Sequence, residues 1–401
     1  MKNILWISAM APYDRVPHAG GKIHNWYLKR LNKEQSVKIK VATFCKPEEV
    51  DAIDLSDYGI DYYLCLRPRG GIKNVIRLLA FVSKSFIWNR YAGLVPLDYQ
   101  QGINKLIKQV KNDCFEPEII ILQWTEILFF LPMIKDIWPN SKYVAIEEDV
   151  SYLGQLRKAD YYKNRWVSWF FYSKYKNVKK LEISYLNSVD IAIFNNQKDF
   201  NLAKGDGFVG NSLVWAPYYL KANIEVTRNY STNIVFYGAM NREENWKSAI
   251  WFIENVLPMI SDLNVRLEII GANPNKKLYS YQNERVIIRG FVDDIETAIG
   301  NALCLVAPLV LGAGIKIKII EAMAIGVPVL TNSIGIEGIP AKDGTEYIHC
   351  ENSEDYCNAI EFLLKNPEAR FKIANAAKNF ISSTLNYETD SDKFNRMILE
   401  L

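Results

Sequence analysis

The chain has 401 residues, more than one ordinary hydrophobic core needs and enough for two. Hydrophobic residues make up 49% and charged residues 23%, which excludes a disordered chain; a net charge of +3 is too weak by itself to argue for nucleic acid. Cys45, Cys65, Cys114, Cys304, Cys350 and Cys357 form no C-x-x-C pair, so neither a zinc site nor a disulfide framework is expected, and a reducing, cytoplasmic setting is.

Ile4 to Ile7 is a short apolar run that ends in the Pro- and Gly-bearing stretch Ala11 to Gly21. The N-terminus therefore reads as a strand and loop rather than a signal peptide, and no stretch reaches the roughly 20 apolar residues of a membrane span. Helical spacing follows over Ile23 to Leu31, then a strand over Val37 to Phe44, which together make a β-α-β unit. Further strand-like runs lie at Ile119–Leu122, Tyr143–Ile146 and Ile191–Phe194, separated by helical patterns, as in a parallel sheet covered on both faces.

The pattern breaks between Gly205 and Tyr230, where Gly207, Gly210 and Pro217 occur without long periodicity. A second series begins with Ile234–Gly238 and a helix over about Asn245 to Ile260. Strands follow at Leu267–Gly271, Val286–Ile288, Cys304–Ala307 and Pro328–Leu330. The expected limits are an N-terminal Rossmann-like domain over 1–210, a linker over 211–230, a C-terminal Rossmann-like domain over 231–385, and a final helix over 386–401 packing back on the first domain. The α/β class is thus two Rossmann-like domains facing a cleft, with ligands outside the carboxyl ends of the strands.

LGAGIKIKIIEAMAIGVPVL, residues 311–330, carries the chemistry. Gly312 and Gly314 flank Ala313 and let the backbone approach a ligand closely. A helix is expected to open near Ile315, its free N–H groups favouring phosphate. Lys316 in the first turn opposes the helix dipole, so an anionic ligand explains it better than helix stability does; Lys318 points elsewhere. Glu321 precedes the small residues Ala322, Ala324 and Gly326. It is either a solvated or salt-bridged carboxylate or one held to accept two hydroxyls of a ribose.

This stretch resembles the nucleotide-sugar signature of glycosyltransferase family 4, two-domain enzymes of the GT-B fold. The resemblance continues through Phe236–Gly238, Trp251–Phe252, Leu257–Pro258, Ile269–Gly271, Gly290–Asp293, Ala307–Leu309 and Gly335–Gly338. It implies that Glu321 binds the ribose of a nucleotide diphosphate sugar and that Gly312, Ala313, Gly314, Ile315 and Lys316 cradle the diphosphate and sugar. Gly290, Phe291 and Val292 would border the base. Two departures stand out. Ala313 occupies the place of a second glutamate, and Ala239 and Glu244 replace an arginine–lysine clamp near Gly238. Charge neutralisation then falls to Lys316, with Arg242 second, while Lys247 lies on a solvent face. The resemblance implies a retaining, metal-independent hexosyltransferase with no cofactor, in surface polysaccharide or glycoconjugate assembly. A non-catalytic GT-B partner subunit and a nucleotide-sugar epimerase remain as alternatives.

The N-terminal half resembles the family less. There the acceptor, a glycan or a lipid-linked sugar, would bind. Gly20 and Gly21 open a helix and are either an ordinary loop or an acceptor contact, with His24 and His18 nearby. Glu147, Glu148 and Asp149 end an apolar strand, and Glu148 stands where related enzymes have a histidine. Glu148 and Asp149 are either an acidic cluster favoured by a helix dipole or catalytic carboxylates acting at the anomeric centre or on the acceptor hydroxyl. Two segments, Arg67 to Arg90 and Arg157 to Lys180, are rich in basic and aromatic or apolar residues. They are either core helices with solvated edges or a surface for an anionic membrane.

Overall fold

The computed structural model describes residues 1–67, 91–219, 221, 225 and 231–401. The chain divides into one unit of Met1–Tyr218 with Tyr387–Leu401 and a second of Tyr219–Asn386.

The first unit is built on β1 (Lys2–Ser8), β2 (Val37–Cys45), β3 (Asp61–Leu66), β4 (Ile119–Gln123), β5 (Lys142–Glu147), β6 (Ile191–Phe194) and β7 (Ser212–Val214). They form one sheet in the order β3-β2-β1-β4-β5-β6-β7, and every pair is parallel. β4 and β6 are buried at every position, which is why they read as unbroken apolar runs: helices cover both faces of the sheet. Among those helices are Ala19–Leu31, Leu97–Asn112, Ser151–Tyr161, Arg165–Leu186 and Gln197–Gly205.

The second unit carries β8 (Asn233–Tyr237), β9 (Arg266–Ile270), β10 (Val286–Gly290), β11 (Cys304–Ala307), β12 (Val329–Thr331) and β13 (Ile348–His349). Their order is β10-β9-β8-β11-β12-β13, again parallel throughout. Each sheet therefore reverses its direction of growth once, between β1 and β4 in the first and between β8 and β11 in the second. Such switch points are where open α/β sheets bind ligands, at the carboxyl ends of the strands.

Three expectations need correction, and a fourth lies outside the described residues. The linker over 211–230 starts too early, because Ser212–Val214 is the edge strand of the first sheet, with Trp215 N donating to Phe194 O at 3.0 Å; residues 220, 222–224 and 226–230 lie outside the described residues. The helix over Asn245 to Ile260 is Glu243–Asn255 followed by a 3-10 turn at Leu257–Met259, since Pro258 cannot extend the helical ladder. The helix after the glycine turn runs Ile317–Ile325, two residues later than Ile315, with Lys316 at its N-cap. The basic segment Arg67 to Arg90 lies outside the described residues after Arg67, which pairs with Asp98 at 2.8 Å.

The final helix, Tyr387–Glu400, belongs to the first unit through aromatic packing and ion pairs. Tyr387 meets Trp26 at 4.8 Å between ring centroids, and Phe394 meets Trp215 at 5.1 Å and Tyr27 at 6.0 Å. Arg30 pairs with Asp392 at 2.9 Å, and Asp390 accepts from Ala216 N at 2.8 Å.

Candidate functional site

In the second unit the residues singled out in the sequence gather at the β8–β11 switch point. The backbone after β8 turns at Gly238 (φ 154) and the one after β9 at Gly271 (φ 148). A Cβ on Gly271 would sit 1.7 Å from Gly238 O, so only glycine lets these two loops touch. Gly290 ends β10 with φ 71 and accepts from Gly271 N at 2.7 Å; Phe291 beside it is 61% exposed, free to stack on a flat ligand. After β11, Gly312 and Gly314 both take positive φ (122 and 70), and the loop is tied down where Val310 N donates to Ser248 Oγ at 3.1 Å and Asn332 Nδ2 to Leu309 O at 2.9 Å. Ala313 and Ile315 complete this turn, half-buried.

Glu321 is buried on the helix Ile317–Ile325 and accepts a hydrogen bond from the Tyr237 hydroxyl, whose pKa is pushed up by burial first and by the Glu321 charge second. Tyr237 was missed in the sequence, where it reads only as the last residue of a strand. The geometry leaves the solvated reading of Glu321 untenable: at 3% exposure a carboxylate needs polar partners.

The two lysines are held differently. Lys316 Nζ folds back on the carbonyls of Gly314 and Ala313, the latter at 3.3 Å, so local backbone oxygens offset its charge and an anion is not required to explain it. Lys318, read as pointing elsewhere, reaches Asn245 Oδ1 at 2.7 Å and lies 5.0 Å from the Phe236 ring. Asn245 in turn donates to Ala239 O at 2.9 Å and packs against Gly238. Burial brings the Lys318 ammonium down to about 7, helped by repulsion from Lys316 and then Arg242 and opposed by Glu244. Three cations thus feel one another around one turn. Arg242 is exposed and pairs with Glu244 at 2.5 Å, and Lys247 pairs with Glu243 at 2.6 Å.

In the first unit a polar chain crosses the carboxyl ends of the strands. Trp6 Nε1 donates to Gln123 Oε1 at 3.2 Å, and Gln123 Nε2 donates to Glu148. From the other side Trp215 Nε1 donates to Asn195 Oδ1, and Asn195 Nδ2 donates to Glu148 Oε2 at 2.7 Å. An indole can only donate, so each tryptophan fixes which end of its amide faces Glu148. Glu148 receives two donors, which favour its ionised form, yet burial dominates and lifts its pKa to about 8, with Asp149 adding to the rise. Its partners are strand-end side chains, which sets aside the reading of Glu148 as an ordinary helix-start acid; the helix Ser151–Tyr161 is instead served by Glu182 Oε1, accepting from Ser151 N at 2.9 Å. Gln123 and Asn195 were missed because they are single amides far apart in sequence.

Gly20 lies in the same place. A Cβ there would meet the Trp124 ring at 3.2 Å and the Glu148 carboxyl carbon at 3.5 Å. Gly21 lets His18 cap the helix Ala19–Leu31, the Gly21 N–H donating to His18 Nδ1 at 3.0 Å. Trp124 holds φ 76, a strained value for a side chain of its size. His24 is a correction. It lies on the inner face of its helix, 1% exposed, between Trp6 (5.2 Å) and Trp124 (5.5 Å). Burial, then His18, depresses its pKa to about 3, so it is a neutral core ring and not a group that touches an acceptor.

Behind Glu148 lies a second acid layer. Glu147 and Glu182 are fully buried, each with one carboxylate oxygen that has no hydrogen-bond partner. Both pKa values stand well above the ordinary carboxylate range, through burial and, for Glu182, its proximity to Glu147. Asp149 raises Glu147, Glu148 and Glu126, and it is partly exposed, as are Glu148 and Glu126. Among the described residues no group of three or more His, Cys, Asp or Glu is arranged to hold a metal ion.

Residues 231–366 match the family model described as glycosyl transferases group 1. The sequence is 28% identical over 171 residues to an uncharacterized 44.6 kDa protein in the cps region of Klebsiella pneumoniae, a match covering 40% of this chain and 44% of that one. The structure is similar to Anabaena HepE in complex with UDP (TM-score 0.68, 14% identity, 100% of each chain). It is also similar to a Thermosynechococcus elongatus sucrose-phosphate synthase (TM-score 0.70, 12% identity, 100% of this chain and 99% of that one). The S. aureus TarM complex with UDP, fondaparinux and alpha-GlcNAc-glycerol gives a TM-score of 0.68 at 14% identity, covering 98% and 99%. The chain has two Rossmann-like α/β units of the GT-B fold, and residues 231–366 of its second unit match the glycosyl transferases group 1 model.

Proposed function

We propose that the protein is a family 4 glycosyltransferase that moves a sugar from a nucleotide diphosphate sugar to a glycan or lipid-linked acceptor. The observation that carries this reading is the β8–β11 switch point. There a buried carboxylate, Glu321, stands beside a doubly glycine-flanked turn, a helix N-terminus and a cluster of Lys316, Lys318 and Arg242. A ribose diol suits the carboxylate, and a diphosphate suits the helix start and the cations. The UDP bound to HepE, and the UDP-glucose in another complex of it, support the choice of ligand class.

The second unit binds the donor and the first unit the acceptor in this reading. Gly20, Gly21, Trp124 and Glu148 form the acceptor edge, and Glu148, with Asp149 beside it, is the catalytic carboxylate that stabilises the sugar's positive charge or takes the acceptor proton. Retention of anomeric configuration, hexosyl transfer and independence from metal ions belong to the proposal, the last because Lys316, Lys318, Arg242 and a helix start would supply the positive charge a diphosphate needs. The cps-region relative supports a place in surface polysaccharide assembly. Ala313, in place of the family's second glutamate, favours a second reading in which the chain binds a donor as a non-catalytic partner subunit.

Calorimetry with UDP-, GDP- and dTDP-sugars tests the first reading, followed by transfer or donor hydrolysis by the purified chain in EDTA. Micromolar affinity with turnover supports it; affinity without turnover leaves the partner subunit; absence of any nucleotide affinity overturns both.

A further inference from the structure

We propose that the tip of the helical hairpin Ser151–Leu186 docks on an anionic lipid bilayer. The helices Ser151–Tyr161 and Arg165–Leu186 pack against each other and are joined by Tyr162–Asn164, with Asn164 capping the second helix through its side chain. The hairpin starts beside the polar chain of Glu148 and runs away from it.

Its outer face departs from what a soluble surface shows. Trp166 is 81% exposed, Trp169 52% and Tyr172 43%. Large aromatics are rarely so bare, and a cluster of them marks an interaction site. The exposed positions follow helical spacing: Trp166, Trp169, Tyr172, Lys176 and Lys180 lie along one stripe, aromatic at the tip and cationic further on. Lys163 and Arg165 flank the aromatic end, also exposed. Inward-facing Ser173, Val178, Ile183 and Leu186 hold the helix to the unit, so the aromatic stripe is surplus to the core.

Charge selects the occupant. Residues 157–180 contain eight basic side chains and one acid, Asp160. A second copy of the chain meeting this face through a two-fold axis would set like charges against each other. An anionic bilayer offers the opposite charge over a wide area, and its interface takes tryptophan and tyrosine rings at the depth where they are half wet. The stripe matches both requirements at once. No helix among the described residues is long and apolar enough to cross a membrane, so contact would be with the surface.

Sedimentation with phosphatidylcholine vesicles, with and without phosphatidylglycerol, tests this. The wild-type chain should pellet with the anionic vesicles and release at high salt. Lys176→Glu/Lys180→Glu should reduce that binding about tenfold or more, and Trp166→Ser/Trp169→Ser should reduce it at every lipid composition. Both variants alter exposed positions, so an unchanged melting temperature certifies their folding. Failure of the wild type to bind anionic vesicles overturns the proposal, as does wild-type binding by both variants. So does a wild-type dimer that both variants make monomeric, since that assigns the face to a second copy. The proposal does not depend on the sugar-transfer reading: vesicle binding and nucleotide calorimetry can each fail alone.

Discussion

Two carboxylates, Glu321 and Glu148, end up in comparable places and reach them differently. Each lies at the carboxyl edge of a parallel sheet beside its switch point, half or fully buried, with a polar side chain donating to it. Glu321 is delivered by one continuous stretch, turn then helix, so its position is encoded by near neighbours in the chain, while its partner Tyr237 comes from β8. Glu148 is assembled from β1, β4, β5, β6 and the residue after β7, through Trp6, Gln123, Asn195 and Trp215. A local motif tolerates change elsewhere, whereas a cross-strand network depends on the register of five strands.

That contrast can be broken experimentally. Glu321→Ala should have the largest effect, removing two charge-assisted hydrogen bonds to the donor and costing on the order of 10²- to 10⁴-fold in nucleotide affinity by calorimetry. Normal affinity would place the donor elsewhere. Glu148→Gln should cut turnover by about 10²- to 10⁴-fold while leaving nucleotide affinity unchanged, the signature of a group that acts in the reaction and not in donor binding.

Glu148→Gln also has a consequence for stability. The folded-state pKa is raised to about 8, above the ordinary value of 4.5, so the native state holds the extra proton between these limits. Stability from this group is present in mild acid and lost as pH rises from about 4.5 to about 8. The variant should flatten that decline in a series of melting curves; an unchanged slope would show that Glu148 titrates normally.

Gly271→Ala separates the units by stability. The new Cβ would overlap Gly238 O, and the positive φ adds strain, for a cost of about 3 kcal/mol or more to the second unit. Two-step melting, with only one transition lowered, would confirm that the damage is local. Lys318→Met addresses charge. With the free ammonium near 7, donor affinity in the wild type should fall by up to about tenfold per pH unit above neutrality, and the variant should bind more weakly with little pH dependence. Trp215→Phe should have the smallest effect, about 1 kcal/mol. It frees the Asn195 amide to offer its oxygen to protonated Glu148, moving the pH dependence of turnover upward with no change in donor affinity.

The positions of β1, β2, β4, β5, β6 and β8 to β12 were readable because strands buried on both faces are apolar runs of fitting length, and the helices between them keep a 3.6-residue spacing; β3 and the order within each sheet were not read. Errors fell where local pattern is silent. Ser212–Val214 is a three-residue edge strand, too short to show alternation, and only its partner β6 makes it a strand. The start of the helix at Ile317 depends on where the Gly312–Gly314 turn releases the backbone. His24 looked available beside a glycine loop, yet helical geometry turns its ring between two tryptophans. Lys316 caps the helix from an extended backbone and Lys318 lies in its first turn, and only the packed structure decides that Lys318 faces Asn245.

The amino-acid sequence by itself determined the two parallel-sheet units and the glycine turn–helix of residues 311–330, because hydrophobic period and a contiguous turn–helix are properties of neighbours in the chain. Tertiary structure alone decided the environment of Glu148, the different partners of Lys316 and Lys318, the inward turn of His24 and the bare aromatic stripe of the hairpin. Burial and hydrogen-bond partners come from residues tens to hundreds of positions away, and a charge or a ring takes its meaning from what surrounds it.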